Sequence, residues 1–147
     1  NIDVELKETT TTYKMIPGKP IDKNPTVYVS NDIACYVFLK VEETANFGTY
    51  MTYDLVDEWL PLEGYSGIYY REVAAGSYNS TVEFPVIEGN KVYVPNSVTK
   101  EDMNALYNAD GTVNTDAQPK LTFTAAAVQK DNLSVSEAYG QVVWPTN

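Results

Sequence analysis

The stretch that decides the fold is YKMIPGKPIDKNPTVYVSNDIACYVFLKV, residues 13–41. It holds two runs in which side chains alternate with a period of two, the spacing that sorts residues onto the two faces of a β-strand. In the first, Val27 and Val29 point one way while Thr26 and Tyr28 point the other. In the second, Cys35, Val37, Leu39 and Val41 share a face, and Tyr36, Phe38, Lys40 and Glu42 share its reverse. Between them lies Ser30-Asn31-Asp32, a polar cluster whose side chains can bond their own backbone. The two runs therefore read as a β-hairpin. Upstream, Pro17-Gly18, Pro20 and Asn24-Pro25 cut the chain into short extended pieces, because proline fixes φ and offers no N–H.

The same reading extends outward. In residues 1–8, Ile2, Val4 and Leu6 alternate with Asp3, Glu5 and Lys7, the pattern of a half-buried strand. A polar connector is expected at 9–12 and a loop at 42–48. Tyr50, Thr52, Tyr53, Val56 and Trp59 mark 50–59 as a strand with an irregular end, and 68–73 reads as another. Residues 80–87 and 92–94 flank Glu88-Gly89-Asn90 as a second hairpin. In 121–128, Leu121, Phe123, Ala125 and Ala127 share a strand face whose small members imply close packing against a neighbour. Two short helices are expected. Thr99 can cap the first by accepting from the Asp102 N–H, ahead of Met103, Leu106 and Tyr107. Ser134 and Glu137 form a capping box for the second, which places Val135, Ala138, Tyr139 and Val142 on one face. The expected architecture is all-β: one antiparallel β-sandwich domain over residues 1–147 with two short helices.

Composition narrows the function. The chain has 147 residues, 20 acidic against 10 basic, and a net charge of −10. Such a field repels phosphate backbones and anionic lipid, so neither nucleic acid nor a membrane surface is an expected partner. No apolar run reaches the ~20 residues of a membrane span. With no His and one Cys, the Ser-His and Cys-His nucleophile pairs, the common zinc ligands and any intrachain disulfide are missing. The carboxylate pairs Glu42-Glu43, Asp57-Glu58 and Glu101-Asp102 read as solvated surface, and no phosphate loop or nucleophile elbow is present. The expectation is a non-catalytic protein without a cofactor. Residues 108–116 place oxygen-bearing side chains around Gly111 as a Ca²⁺ loop does, but lack its closing Glu and read as a polar loop. Cys35 reads as a buried structural thiol. Among the 12 tyrosines, Tyr28, Tyr69 and Tyr70, together with Trp59, are candidates for an aromatic surface that stacks on sugar rings. Asn79-Ser-Thr81 and Asn132-Leu-Ser134 match the short glycosylation pattern. The chain opens on strand-like sequence without an initiator Met, as a processed start would.

Several segments also carry a family resemblance. Residues 13–18 (YKMIPG), 21–27 (IDKNPTV) and 35–41 (CYVFLKV) are followed in order by 59–62 (WLPL), 67–73 (GIYYREV), 98–103 (VTKEDM) and 121–129 (LTFTAAAVQ). Together with the opening NIDVEL, this series resembles the TasA/camelysin-like proteins of Gram-positive bacteria, exported with a SipW-type signal peptide, and their clostridial members above all. The resemblance implies a jelly-roll-like sandwich, secretion to the cell surface or extracellular matrix, and assembly into biofilm fibres with itself or other matrix proteins. In such fibres an N-terminal segment of one subunit completes the sheet of the next, with backbone hydrogen bonds supplying affinity. Ile2, Val4 and Leu6 then mark the candidate donor strand, or the first strand beside it. The metalloprotease activity attributed to some camelysin-like relatives is not carried over, since this chain has no His for a catalytic zinc site. A second expectation, from a different class, is a non-catalytic module that binds cell-wall or other carbohydrate.

Overall fold

The computed structural model describes residues 1–8, 15–77 and 79–146. The connector at 9–12 and the first two residues of the 13–41 stretch lie outside them. Among the described residues the strands are β1 (Ile2–Lys7), β2 (Pro20–Asp22), β3 (Thr26–Asn31), β4 (Cys35–Glu43), β5 (Leu60–Pro61), β6 (Ile68–Val73), β7 (Val82–Pro85), β8 (Lys91–Tyr93) and β9 (Leu121–Gln129). The helices are α1 (Phe47–Tyr50), α2 (Lys100–Asn104) and α3 (Val135–Tyr139). The strands form a sheet in the order β1-β3-β7, a second in the order β5-β6-β4-β9 and a small pair, β2-β8, all antiparallel.

The two larger sheets pack face to face. Val27 and Val29 of β3 meet Cys35, Val37 and Leu39 of β4, with Phe123 and Ala125 of β9, in one buried cluster. The reverse face of β4 is buried too: Tyr36 and Phe38 pack with Ile68, Val128 and Ala138 under α3 and the chain that follows it. A third cluster, around Ile21, Tyr50, Val94, Val98 and Leu106, lies beside β2 and β8. Burying apolar area on both faces makes β4 the central support of the molecule. At the turn into β6, Gly67 adopts φ +76°, and a Cβ there would sit 2.8 Å from the Val41 carbonyl oxygen, so only glycine fits.

The alternation read for 1–8, 26–29, 35–42 and 121–128 coincides with β1, β3, β4 and β9, and the strand expected at 68–73 is β6. Both caps form as expected. Thr99 Oγ1 accepts from the Asp102 N–H at 3.0 Å, and Ser134 Oγ accepts from the Glu137 N–H at 3.2 Å. The hairpins do not form. β3 and β4 are consecutive but belong to different sheets, because Ser30-Asn31-Asp32 carries the chain across the sandwich instead of folding it back. Asn31, 3% exposed, donates through Nδ2 to the Ile33 and Ala74 carbonyls, each at 2.9 Å, while its own carbonyl accepts from the Gly76 N–H at 3.0 Å. That corner gives the backbone a partner on the second sheet and removes the need for a tight return.

The second expected hairpin fails for a similar reason. Gly89 takes the positive φ that suits a hairpin loop, 68°, and Asn90 takes 53°, yet β7 before them pairs with β3 and β8 after them pairs with β2. Residues 50–59 are not a strand. The chain makes the short helix α1, unforeseen in the sequence, and then passes from one partner to another. Thr52 exchanges hydrogen bonds with Tyr93, Asp54 O accepts from Glu88, and the Val56 N–H donates to Val86 O. The first is a bridge from Thr52 to Tyr93 and the other two bonds flank a bridge from Leu55 to Ile87, so isolated bridges replace a ladder.

Candidate functional site

The feature with the clearest chemical capacity is one lateral border of the sandwich, where β1 ends the first sheet and β9 ends the second. The Asp32 N–H donates to Asn1 O, so the ladder to β3 runs through Asp3, Glu5 and Lys7. The main-chain groups of Ile2, Val4 and Leu6 therefore face away from β3. In β9, the Lys130 N–H donates to Ala34 O and the Thr44 N–H to Lys120 O, which sets the ladder to β4 through Thr122, Thr124, Ala126 and Val128. The main-chain groups of Phe123, Ala125 and Ala127 point outward. Among the described residues no strand pairs with β1 or β9 on these outer sides.

Small side chains bring the two strands together. Cα atoms of β1 come within 8 Å of those of β9, closer than the roughly 10 Å that separates ordinary packed sheets. Ala125 and Ala127 leave room for this approach, and Ile2, Val4 and Leu6 pack partly buried against the same cluster. The opposite border is blocked. Pro85 in β7 has no N–H to offer, its carbonyl accepts from the Trp59 indole at 3.0 Å, and Val86 O accepts from Val56. On the other sheet β6 is covered by β5, two residues long and ending in Pro61. An unpaired strand edge is a template for another strand, and among the described residues only this side of the sandwich offers one at length.

The structure thus holds Ile2, Val4 and Leu6 in the chain's own sheet, at its margin. The aromatic candidates do not form one surface. Tyr69 and Tyr70 are adjacent in β6 and so lie on opposite faces: Tyr69 packs against the inter-sheet cluster and Tyr70 against the cluster under α3. Trp59 is 3% exposed, with Arg71 4.7 Å above its ring. Tyr28 lies on the outer face of the first sheet, with the Lys7 ammonium 5.1 Å from its ring centre. Of the four, only Trp59 and Tyr69 meet, around a groove of about 570 Å³ that also takes in Glu43, Tyr53, Asp54 and Asp57. The sequence does not single out Tyr53, because its spacing places it in a strand that does not form. Its hydroxyl donates to Glu43 Oε2 at 2.7 Å, and burial, then that carboxylate, pushes its pKa upward.

In residues 108–116 the oxygen atoms bind the loop itself. Asp110 Oδ1 accepts from the Thr112 N–H at 3.0 Å and from the Thr112 hydroxyl at 2.6 Å, which lowers the Asp110 pKa, and Asn114 Oδ1 accepts from the Asp116 N–H at 3.2 Å. Among the described residues no group of three or more His, Cys, Asp or Glu side chains is placed to hold a metal ion, and no helix is long and apolar enough to cross a membrane. Cys35 is buried, and burial pushes its thiol up to about 11. No family model matches the sequence, and no curated protein or solved structure is found similar to it.

Proposed function

We propose that this chain is a secreted, non-catalytic structural protein of the cell surface or extracellular matrix, a jelly-roll-like subunit that forms biofilm-type fibres by β-strand addition. The observation that carries the reading is the open border of β1 and β9, set against a blocked border on the other side. An incoming extended segment gains main-chain hydrogen bonds along such an edge, and its alternate side chains find the small-residue face of β9. The resemblance of the sequence to the TasA/camelysin-like proteins supports the same function and the extracellular location. A net charge of −10 keeps isolated subunits apart, so association is expected to need salt or acid.

Two proline variants test the edge. Val4→Pro removes an N–H that faces outward and keeps every β1–β3 ladder bond, whereas Glu5→Pro removes one that faces β3. The expected result, in negative-stain electron microscopy with circular dichroism as the folding control, is fibres from the parent chain and folded monomers from Val4→Pro. Glu5→Pro is expected to lose stability. Monodisperse parent protein under every condition of pH and salt sinks the proposal. The groove around Tyr53 and Tyr69 favours the second reading, a carbohydrate- or cell-wall-binding module, since its carboxylates can accept from sugar hydroxyls beside an aromatic wall. Saturable glycan binding by a protein that never assembles would put that reading first.

A further inference from the structure

Tyr65 and Tyr139 are the closest pair of aromatic rings among the described residues, with ring centres 4.7 Å apart and planes inclined at 58°. Tyr65 sits in the turn between β5 and β6 and is 47% exposed. Tyr139 ends α3 and is half-buried, with Phe38 at 5.4 Å and Trp144 at 6.4 Å from its ring. Packing alone accounts for two touching rings. What sets this pair apart is that two better electron donors, Cys35 and Trp59, are kept away from solvent. Cys35 is 0% exposed, with burial holding the thiol protonated, and Trp59 is buried in the inter-sheet cluster. There is no His to compete. The partly exposed Trp144 stands next to Tyr139, so a radical formed on the indole has a phenol beside it to oxidise.

We propose that Tyr65 and Tyr139 are an oxidative cross-linking site, joined to each other by a one-electron oxidant of the haem-peroxidase and hydrogen-peroxide class. Each phenol gives up its hydroxyl hydrogen as a proton and an electron. The two phenoxyl radicals form one bond between ring carbons ortho to oxygen, and each ortho hydrogen then moves to its oxygen to restore a phenol. The pair loses two hydrogen atoms in all, and these reduce one peroxide to two waters. The product fastens α3, and with it the cover over Tyr36 and Phe38, to the β5–β6 turn. This chemistry does not depend on strand addition.

The test is treatment of the whole chain with a haem peroxidase and limiting peroxide, followed by gel separation, intact mass and peptide mapping. The expected product is a monomer lighter by two hydrogens, with dityrosine fluorescence, whose cross-linked peptides contain residues 65 and 139. Tyr65→Phe and Tyr139→Phe keep the ring contact without the phenol, so each is expected to bring the intrachain product to background. Tyr107→Phe, at an exposed tyrosine with no ring neighbour in the described structure, is expected to leave it unchanged. Dityrosine found only in covalent dimers, or an undiminished monomer product in Tyr65→Phe, overturns the proposal.

Discussion

At the scale of single residues, Asn31 explains most about the course of the chain. It is a buried amide whose donors are taken by the Ile33 carbonyl, within the crossing itself, and the Ala74 carbonyl, just past the end of β6. Leucine has the same branched skeleton of four heavy side-chain atoms and none of the donors. Asn31→Leu is therefore expected to leave the Ile33 and Ala74 carbonyls without partners and to cost about 1–3 kcal/mol, read as a lower urea midpoint. A serine, short but polar, does not span the same pair of acceptors and is expected to recover little. The sequence marks Asn31 as a turn residue, and so it is; its second role, as the pin between two sheets, depends on where β6 ends and has no local signature.

At the scale of elements, the tight approach of β1 to β9 rests on Ala125 and Ala127. Ala125→Leu adds three carbons where the neighbouring strand already lies close, and is expected to destabilise by about 1–3 kcal/mol through overpacking, measurable by denaturant unfolding. Elements were the best-read level of this chain. β1, β3, β4 and β9 follow from alternation, β6 from its run of strand-forming residues, and the caps at Thr99 and Ser134 from short-range hydrogen-bond chemistry. Their partners were not legible. A period of two says which side chains share a face and nothing about which strand lies beside which, so neighbouring runs read as hairpins whether or not they pair. The aromatic candidates show the same limit. That Tyr69 and Tyr70 face opposite ways was implicit in their adjacency, whereas the burial of Trp59 against Pro85 required the three-dimensional course of 51–59.

At the scale of the whole molecule, the pH range of stability follows from groups whose protonation the fold biases. Cys35, Tyr50 and Tyr53 are all held protonated, chiefly by burial. A raised pKa gives stability that is complete below the unfolded value and lost as pH climbs toward the folded one. For Cys35 that interval runs from 9.0 to about 11. Asp110 and Glu137 act in the opposite sense: hydrogen bonds from Thr112 and Ser134 lower their pKa values, so what they contribute is lost as pH falls through the ordinary carboxylate range. The thermal midpoint, followed by circular dichroism, is expected to be highest at mild pH and to decline at both ends. Cys35→Ala is expected to flatten the decline between pH 9 and 11. An unaltered slope in that variant would assign the alkaline loss to the tyrosines.

The place of β1 against β9 has a consequence in time. Residues 2–7 precede residues 121–129 by more than a hundred positions, so the apolar side of β1 waits for a neighbour made much later. Closure between such distant partners is slow, on the order of milliseconds to seconds. A chain emerging amino end first, from a ribosome or through a translocation pore, keeps Ile2, Val4 and Leu6 without that neighbour until residues 121–129 have emerged. During that interval they are open to capture by a chaperone or by another copy still in transit.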